Sequence, residues 1–253
     1  MTRQAEAVDA DYLLDDLQSA EAWHFWFRAR SRLVRWAIES RFRSARSVLD
    51  VGCGTGFVLA ELQRASPHLQ LAGCDVLRPA LVRARTRLDD ARIFLGDATR
   101  LPLSRQFDVV LALDVIEHLD DDRAALSEMF RVTTPGGGVL VTVPQHQWLW
   151  SAVDDFSRHR RRYSRADLVG KMRAAGFGIL RCTSLFTATL PLMALSRLPL
   201  RRDAFDPARE LKISRTMNVA AEALIAPEWL LTRSGLSIPV GSTLAVVARR
   251  PPS

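Results

Sequence analysis

Three glycines at alternate positions, Gly52, Gly54 and Gly56, carry the spacing in this chain that points most directly to ligand chemistry. Ahead of them, Val48-Leu49-Asp50-Val51 reads as a buried strand broken only by Asp50. Behind them, Val58-Leu59-Ala60-Glu61-Leu62 begins a helical pattern. A strand, a glycine bend and a helix N-terminus make a cradle. Glycine takes positive φ and lets backbone N–H groups approach a bound molecule without an intervening Cβ. The dinucleotide fingerprint needs G-x-G-x-x-G. Here the third glycine comes one residue early, and Phe57 stands in its fingerprint place. No lysine follows the glycines, so the loop is not a P-loop. Asp75 ends a second apolar stretch, Leu69 to Cys74, about 20 residues past the glycines, where it is placed to accept the hydroxyls of a ribose. The plainer reading of Asp75 is a helix N-cap.

The run Val48 to Gly56 resembles motif I of the class I S-adenosylmethionine methyltransferases, of form [VL]-L-D-[VIL]-G-C-G-T-G. The resemblance reaches from about Glu21 to Thr183 and includes the last strand. It implies an α/β, doubly wound, Rossmann-like seven-stranded sheet in the order 3-2-1-4-5-7-6. In that fold the last strand is antiparallel, N-terminal helices precede the sheet, and here a helical insert falls between strands six and seven. It also implies S-adenosyl-L-methionine as cofactor. The implied binding set is Asp50, Gly52, Cys53, Gly54 and Gly56 at the bend, then Asp75 and Val76 at the tip of strand two. Asp97 and Ala98 follow strand three, where the family's aspartate bonds the adenine amino group and the next backbone N–H meets a ring nitrogen; a turn aspartate is the plainer reading. Asp114 ends strand four. The H-x-W-F-x-x-R pattern from His24 resembles an N-terminal helix whose arginine reaches the cofactor carboxylate, a contact suited to a bidentate guanidinium. Arg30 is the first choice and Arg28 the alternative.

On the acceptor side, the N/D-P-P-Y/F motif of nucleic-acid amino methyltransferases does not follow strand four, which disfavours a nucleobase amine. Asp114-x-x-Glu117-His118 is similar to an acidic cluster in ubiquinone-type O-methyltransferases that is proposed to hold a divalent metal. Glu-His at this place is also widespread in metal-free relatives, and the expectation is no bound metal. The plain reading packs His118 under the loop and bonds Asp114 and Glu117 to nearby backbone. Beyond strand five, Gln145 to Ser164 holds His146, His159, Trp148, Trp150 and Arg160-Arg161-Arg162-Tyr163. It resembles the L-W-S-x-x-D-x-x-x-x-H-x-R-R-Y segment of bacterial small-molecule and glycan-associated methyltransferases. A histidine titrating near neutrality suits removal of an acceptor proton. His159 is the first candidate base and His146 the second. Equally open is a structural latch in which His159 and its neighbours tie to Asp154.

These residues need elements to position them. A length of 253 residues suits one α/β domain with additions, and a hydrophobic content of 48% is ample for its core. Three scattered cysteines give neither a disulfide framework nor a zinc site, which fits a reducing compartment. The first 20 residues read as an acidic, flexible start without the features of a secretory leader. Residues 21–45 read as an N-terminal helical segment, 46–184 with 242–250 as the cofactor-binding core, and 185–241 as an apolar helical insert. Within the core, strand five is expected at Val139 to Pro144, after a Thr134–Gly138 turn. The insert's apolar runs fall short of the ~20 residues that span a bilayer. Core or dimer helices are its bland reading, and a lipid-like acceptor pocket or peripheral membrane contact the sharper one.

The net charge of +7 is nearly all arginine. A dispersed basic surface and a phosphate-binding face both fit it. The combined expectation is a cytoplasmic enzyme, with membrane association open, moving a methyl group to a small-molecule or lipid-like acceptor at oxygen. The alternatives are a non-catalytic binding protein of the same fold and an RNA methyltransferase; no specific nucleic-acid partner is expected.

Overall fold

All five residues of β1 (Ser47–Val51) are buried, and the strand lies inside a seven-stranded sheet. The computed structural model describes residues 14–15, 17–196 and 213–252. β1 pairs in parallel with β2 (Gln70–Asp75) and, on its other side, with β4 (Phe107–Leu113). β3 (Arg92–Leu95) extends the sheet beyond β2, and β5 (Thr133–Pro144) lies parallel to β4. β7 (Thr243–Arg249) runs antiparallel between β5 and β6 (Gly178–Leu185). The order is β3-β2-β1-β4-β5-β7-β6, the arrangement expected from the sequence.

Side chains along a strand point alternately to opposite faces, and here both faces are covered. Val48, Val109, Leu111 and Leu140 pack with α1 (Phe25–Arg41), α2 (Phe57–Ala65) and α3 (Arg78–Arg87). Leu49, Val51, Val110 and Val141 face α4 (Asp122–Val132). After the short α5 (Ala152–Phe156), α6 (Arg165–Ala174) joins that second layer through Leu168 and Met172. Two covered faces explain why the central strands are apolar at nearly every residue rather than at alternate ones. Parallel pairing also sets the carboxyl ends of β1, β2 and β4 side by side, where a parallel α/β sheet binds ligands.

Thr134 to Gly138, read from sequence as a turn, forms the first part of β5. Gly136 N–H donates to the Arg250 carbonyl at 2.9 Å, and Arg250 N–H to the Gly137 carbonyl at 3.0 Å. Those bonds hold the glycines in the sheet, and a register shift between Phe107 and Val109 absorbs the irregularity.

The region 185–241 contributes α7 (Leu190–Ser196) and α8 (Arg215–Arg233). Residues 197–212 between them lie outside the described residues, as do 1–13 and 16 of the acidic start. α8 is fastened to the chain just before and along α1. Asn218 accepts from Phe25 N–H at 2.6 Å and donates to the Trp23 carbonyl at 2.9 Å, and Arg28 pairs with Glu222 at 2.9 Å. No helix among the described residues is long and apolar enough to cross a membrane.

A buried carboxylate joins the late loop to the second layer. Asp122 Oδ2 accepts from Tyr163 Oη and Lys171 Nζ, each at 2.7 Å, and lies 3.0 Å from Arg161. Burial pushes the Asp122 carboxyl up, but the bonds from Lys171 and Tyr163 and the nearby charges outweigh it and hold it below the usual range. Its stabilisation is therefore present above the unfolded pKa and lost as pH falls through the folded one. Asp122→Ala leaves buried donors unpaired and should cost about 3 kcal/mol in urea unfolding. Asp122→Asn should retain more stability yet flatten its acid dependence.

Candidate active site

The glycine bend leaves β1 with Gly52, Gly54 and Gly56 at φ 72°, 54° and 75°. A Cβ on Gly52 would collide with the Val115 side chain, and one on Gly56 would sit 3.0 Å from Ala84 Cβ. Those two glycines let the bend pack closely. A Cβ on Gly54 would meet nothing within 4 Å, so this glycine fronts open space. Gly52 and Cys53 donate their N–H groups to the Cys74 carbonyl at 2.8 and 3.0 Å. Gly54 N–H donates to Asp75 Oδ2 at 2.9 Å, while Asp75 Oδ1 accepts from Leu77 N–H at 2.9 Å. Asp75 thus orders both the bend and the start of α3, and carboxylate oxygens retain further lone pairs for a ligand.

Val76 is 62% exposed at the tip of β2, and Leu77 is 49% exposed; together they offer a flat apolar ledge. One strand over, Asp97 Oδ1 accepts from the N–H and hydroxyl of Thr99 at 2.8 and 2.7 Å. That is the turn role, and it leaves Oδ2 without a partner among the described residues. Ala98 beside it is buried. One support escaped sequence reading. Glu21, buried ahead of α1, accepts from Thr55 of the bend at 2.5 Å and from Arg87 of α3 at 2.7 Å. The pattern around Glu21 gives no local hint of a partner 34 residues away.

Arg30 projects from α1 to Asp114 at the end of β4, with Nη1 3.0 Å from Oδ2. Its guanidinium carbon lies 4.5 Å from the Trp26 ring centroid, and its Nε is buried without a hydrogen-bond partner among the described residues. Arg28, the alternative, is engaged by Glu222 of α8 instead. Asp114 takes positive φ, 57°, and accepts from the Thr142 hydroxyl at 3.2 Å. Two more acids are buried here. Desolvation pushes Asp50 up to about 7, Arg30 lowering it and Asp75 adding to it. Glu117 is pushed well above the carboxylate range by burial and by Asp114. Among the described residues, neither Glu117 side-chain oxygen has a hydrogen-bond partner. Asp114 bonds side chains through its carboxylate.

His159 meets Asp154 through Nδ1 at 2.8 Å. Asp154 also accepts two bonds from Arg162, at 2.7 and 3.0 Å, and one from Ser151 N–H at 2.8 Å. Burial raises Asp154, but these partners overcome it and hold the carboxyl far below its usual range. The latch and the candidate base are therefore the same construction: Arg162 and Tyr163 lock the segment, and Asp154 orients the His159 ring. The centroid of that ring is 4.7 Å from that of His118, which burial and His159 keep low in pKa. His146 stands apart at φ 64°, tilted against Trp148 at 5.7 Å, its Nε2 buried and without a hydrogen-bond partner among the described residues. Glu117, His118 and His159 offer ligand atoms all within 4.8 Å of one another. A carboxylate with two imidazoles has the chemistry of a transition-metal site. Asp114, grouped with Glu117 and His118 from sequence, bonds Arg30 instead, and His159 comes in from a distant loop.

The bend, the apolar ledge and the acids stand at adjacent strand tips, with an arginine opposite. Residues 49–141 match the model of the methyltransferase domain family. The chain is 32% identical over 162 residues to a protein of Mycolicibacterium smegmatis named "Probable S-adenosylmethionine-dependent methyltransferase", covering 62% of this chain and 60% of that one. It is 29% identical over 162 residues to a ubiquinone/menaquinone biosynthesis C-methyltransferase of Cereibacter sphaeroides, covering 59% of this chain and 61% of that one. The chain thus spans about three fifths of the length of each. Among solved structures, the [4+2]-cyclase SpnF superposes with a TM-score of 0.65 at 22% identity, over 100% of this chain and 98% of that one, a likeness in fold alone. Residues 49–141 are thus similar to a methyltransferase domain, set in a seven-stranded sheet of Rossmann-like order.

The raised Asp50 carboxyl makes ligand-free stability fall as pH climbs from 3.8, its ordinary value, to about 7. Asp50→Asn should therefore melt several degrees above wild type at about pH 8, and the gap should close below about pH 4. Differential scanning calorimetry across that range is the check.

Proposed function

We propose that this protein transfers the methyl group of S-adenosyl-L-methionine to a small, lipid-like acceptor at oxygen. The observation that carries this reading is the convergence on one sheet edge of the positive-φ glycine bend, Asp75 bonded to Gly54 N–H, and the open space before Gly54. The residues fit the cofactor. Asp75 would take the ribose hydroxyls and Asp97 Oδ2 the adenine amine, with Val76 against the base. Gly52, Cys53 and Gly56 would shape the backbone that approaches it, Asp50 would back that wall, and Ala98 N–H would meet a ring nitrogen. Arg30 would exchange Asp114 for the cofactor's carboxylate, which its planar fork suits. When bound, the cofactor supplies a methyl group already activated by its sulfonium.

The chain's own work is alignment and proton removal. Positioning alone can supply up to ~7–11 kcal/mol of a transfer barrier. Asp154 holds His159 Nδ1, which leaves Nε2 to accept the acceptor's hydroxyl proton. His146 is the second candidate for that role. The site is proposed to work without metal: burial raises the Glu117 carboxyl and so disfavours its charged, ligating form, and Asp154 already occupies one nitrogen of His159. A second reading, methylation at carbon, is favoured by the quinone-pathway relative, whose name specifies a C-methyltransferase.

Isothermal titration should show S-adenosylhomocysteine binding to wild type, weakened at least ~100-fold by Asp75→Ala, whose carboxylate would accept two charge-assisted bonds. No binding by wild type overturns the proposal. With an acceptor in hand, His159→Ala should lower kcat by ~10²–10⁴, with KM for the cofactor unchanged. Methyl-labelled product examined by NMR separates O- from C-transfer. Activity indifferent to EDTA is expected; loss to EDTA with recovery on adding zinc or magnesium would make Glu117, His118 and His159 a metal centre.

A further inference from the structure

α8 is amphipathic in the reverse of the usual sense. Its buried stripe is Asn218, Ile225 and Thr232, one residue every seven. Between its two terminal arginines its only charges are Glu222 and Glu228. Glu222 is turned to Arg28, and Glu228 accepts from Ala188 N–H. The opposite face is apolar along the helix: Met217 is 63% exposed, Val219 66% and Leu230 65%, with Leu224 and Leu231 nearly half exposed. A helix normally aims such residues at a core. α7, whose approach is held to α8 by that Ala188–Glu228 bond, adds Leu192 and Leu195, 63% and 67% exposed. Contiguous apolar surface of this kind marks an interaction site.

Charge selects the occupant. Arg215 and Arg233 stand exposed at the two ends of α8, with no ion-pair partner among the described residues. A second copy docked here by two-fold symmetry would bring arginine against arginine at both ends of the helix. An anionic bilayer would instead meet both features, with the apolar face in the acyl boundary and the arginines among lipid phosphates.

We propose that the outer face of α8 is a docking surface for an anionic phospholipid membrane, on which the protein lies without spanning it. This rests on the surface alone and does not depend on the methyl-transfer reading.

The test is co-sedimentation of the full chain with vesicles of phosphatidylcholine, alone or mixed with phosphatidylglycerol. Wild type should pellet with the mixed vesicles, remain largely in solution with phosphatidylcholine, and be released as salt screens the arginines. Val219→Asp with Leu230→Asp should weaken binding at least about tenfold. Arg215→Glu with Arg233→Glu should erase the preference for phosphatidylglycerol. All four positions are exposed, so circular dichroism and melting temperature should match wild type. The proposal is overturned if wild type ignores phosphatidylglycerol vesicles, or if the aspartate pair pellets as wild type does. It is also overturned if sedimentation velocity shows a dimer that the aspartate pair dissolves, because the face then belongs to a second copy.

Discussion

The site depends on a bond between two backbones and one carboxylate. The end of β1 turns through three positive-φ glycines, and the turn is held by the Cys74 carbonyl from below and by Asp75 from the side. Without that restraint, a run of glycines would lose its single conformation, since glycine gives up more freedom on folding than any other residue. With it, the open side of Gly54 is held next to Asp75 at the tip of β2. Thr55, Glu21 and Arg87 brace the same bend from behind, so the N-terminal segment and α3 share its support.

The electrostatics follow from packing acids where water is scarce. Asp50 and Glu117 are buried and pushed upward, while Asp122 and Asp154 are buried and held down. The difference lies in their partners. Asp122 and Asp154 have arginine, lysine or histidine donors at hydrogen-bond distance; Asp50 and Glu117 feel Arg30 only through space. The partnered pair fastens the late loop over the sheet. Burial raises Asp50 and Glu117 near the carboxyl ends of β1 and β4, and acids perturbed in this way cluster at functional sites.

Much of this was legible from local pattern. The bend and the acid at the tip of β2 followed from residues that are contiguous or at set spacing, and the strand order from the family resemblance that the motif carries. The start of β5 was not, because Thr134–Gly138 has turn chemistry locally and is kept in the sheet by Arg250. Arg30 and Arg28 could not be separated on a helix two residues apart. Opposite neighbours, Asp114 and Glu222, divide them. The latch and the candidate base at His159 were offered as rivals, yet one aspartate serves both.

By itself, the sequence determined the glycine bend, which is set by residues close along the chain, and the fold class, through the family resemblance that the bend's motif carries. Only the tertiary structure decided which charges meet: Glu21 with Thr55 and Arg87, Arg30 with Asp114, and His159 with His118 and Glu117. It also turned the apolar side of α8 outward, since Asn218 and Glu222 found their bonds on α1 and its approach. Such pairings join residues tens to nearly two hundred positions apart, and side-chain types along the chain do not encode which distant partner the packing will bring within 3 Å.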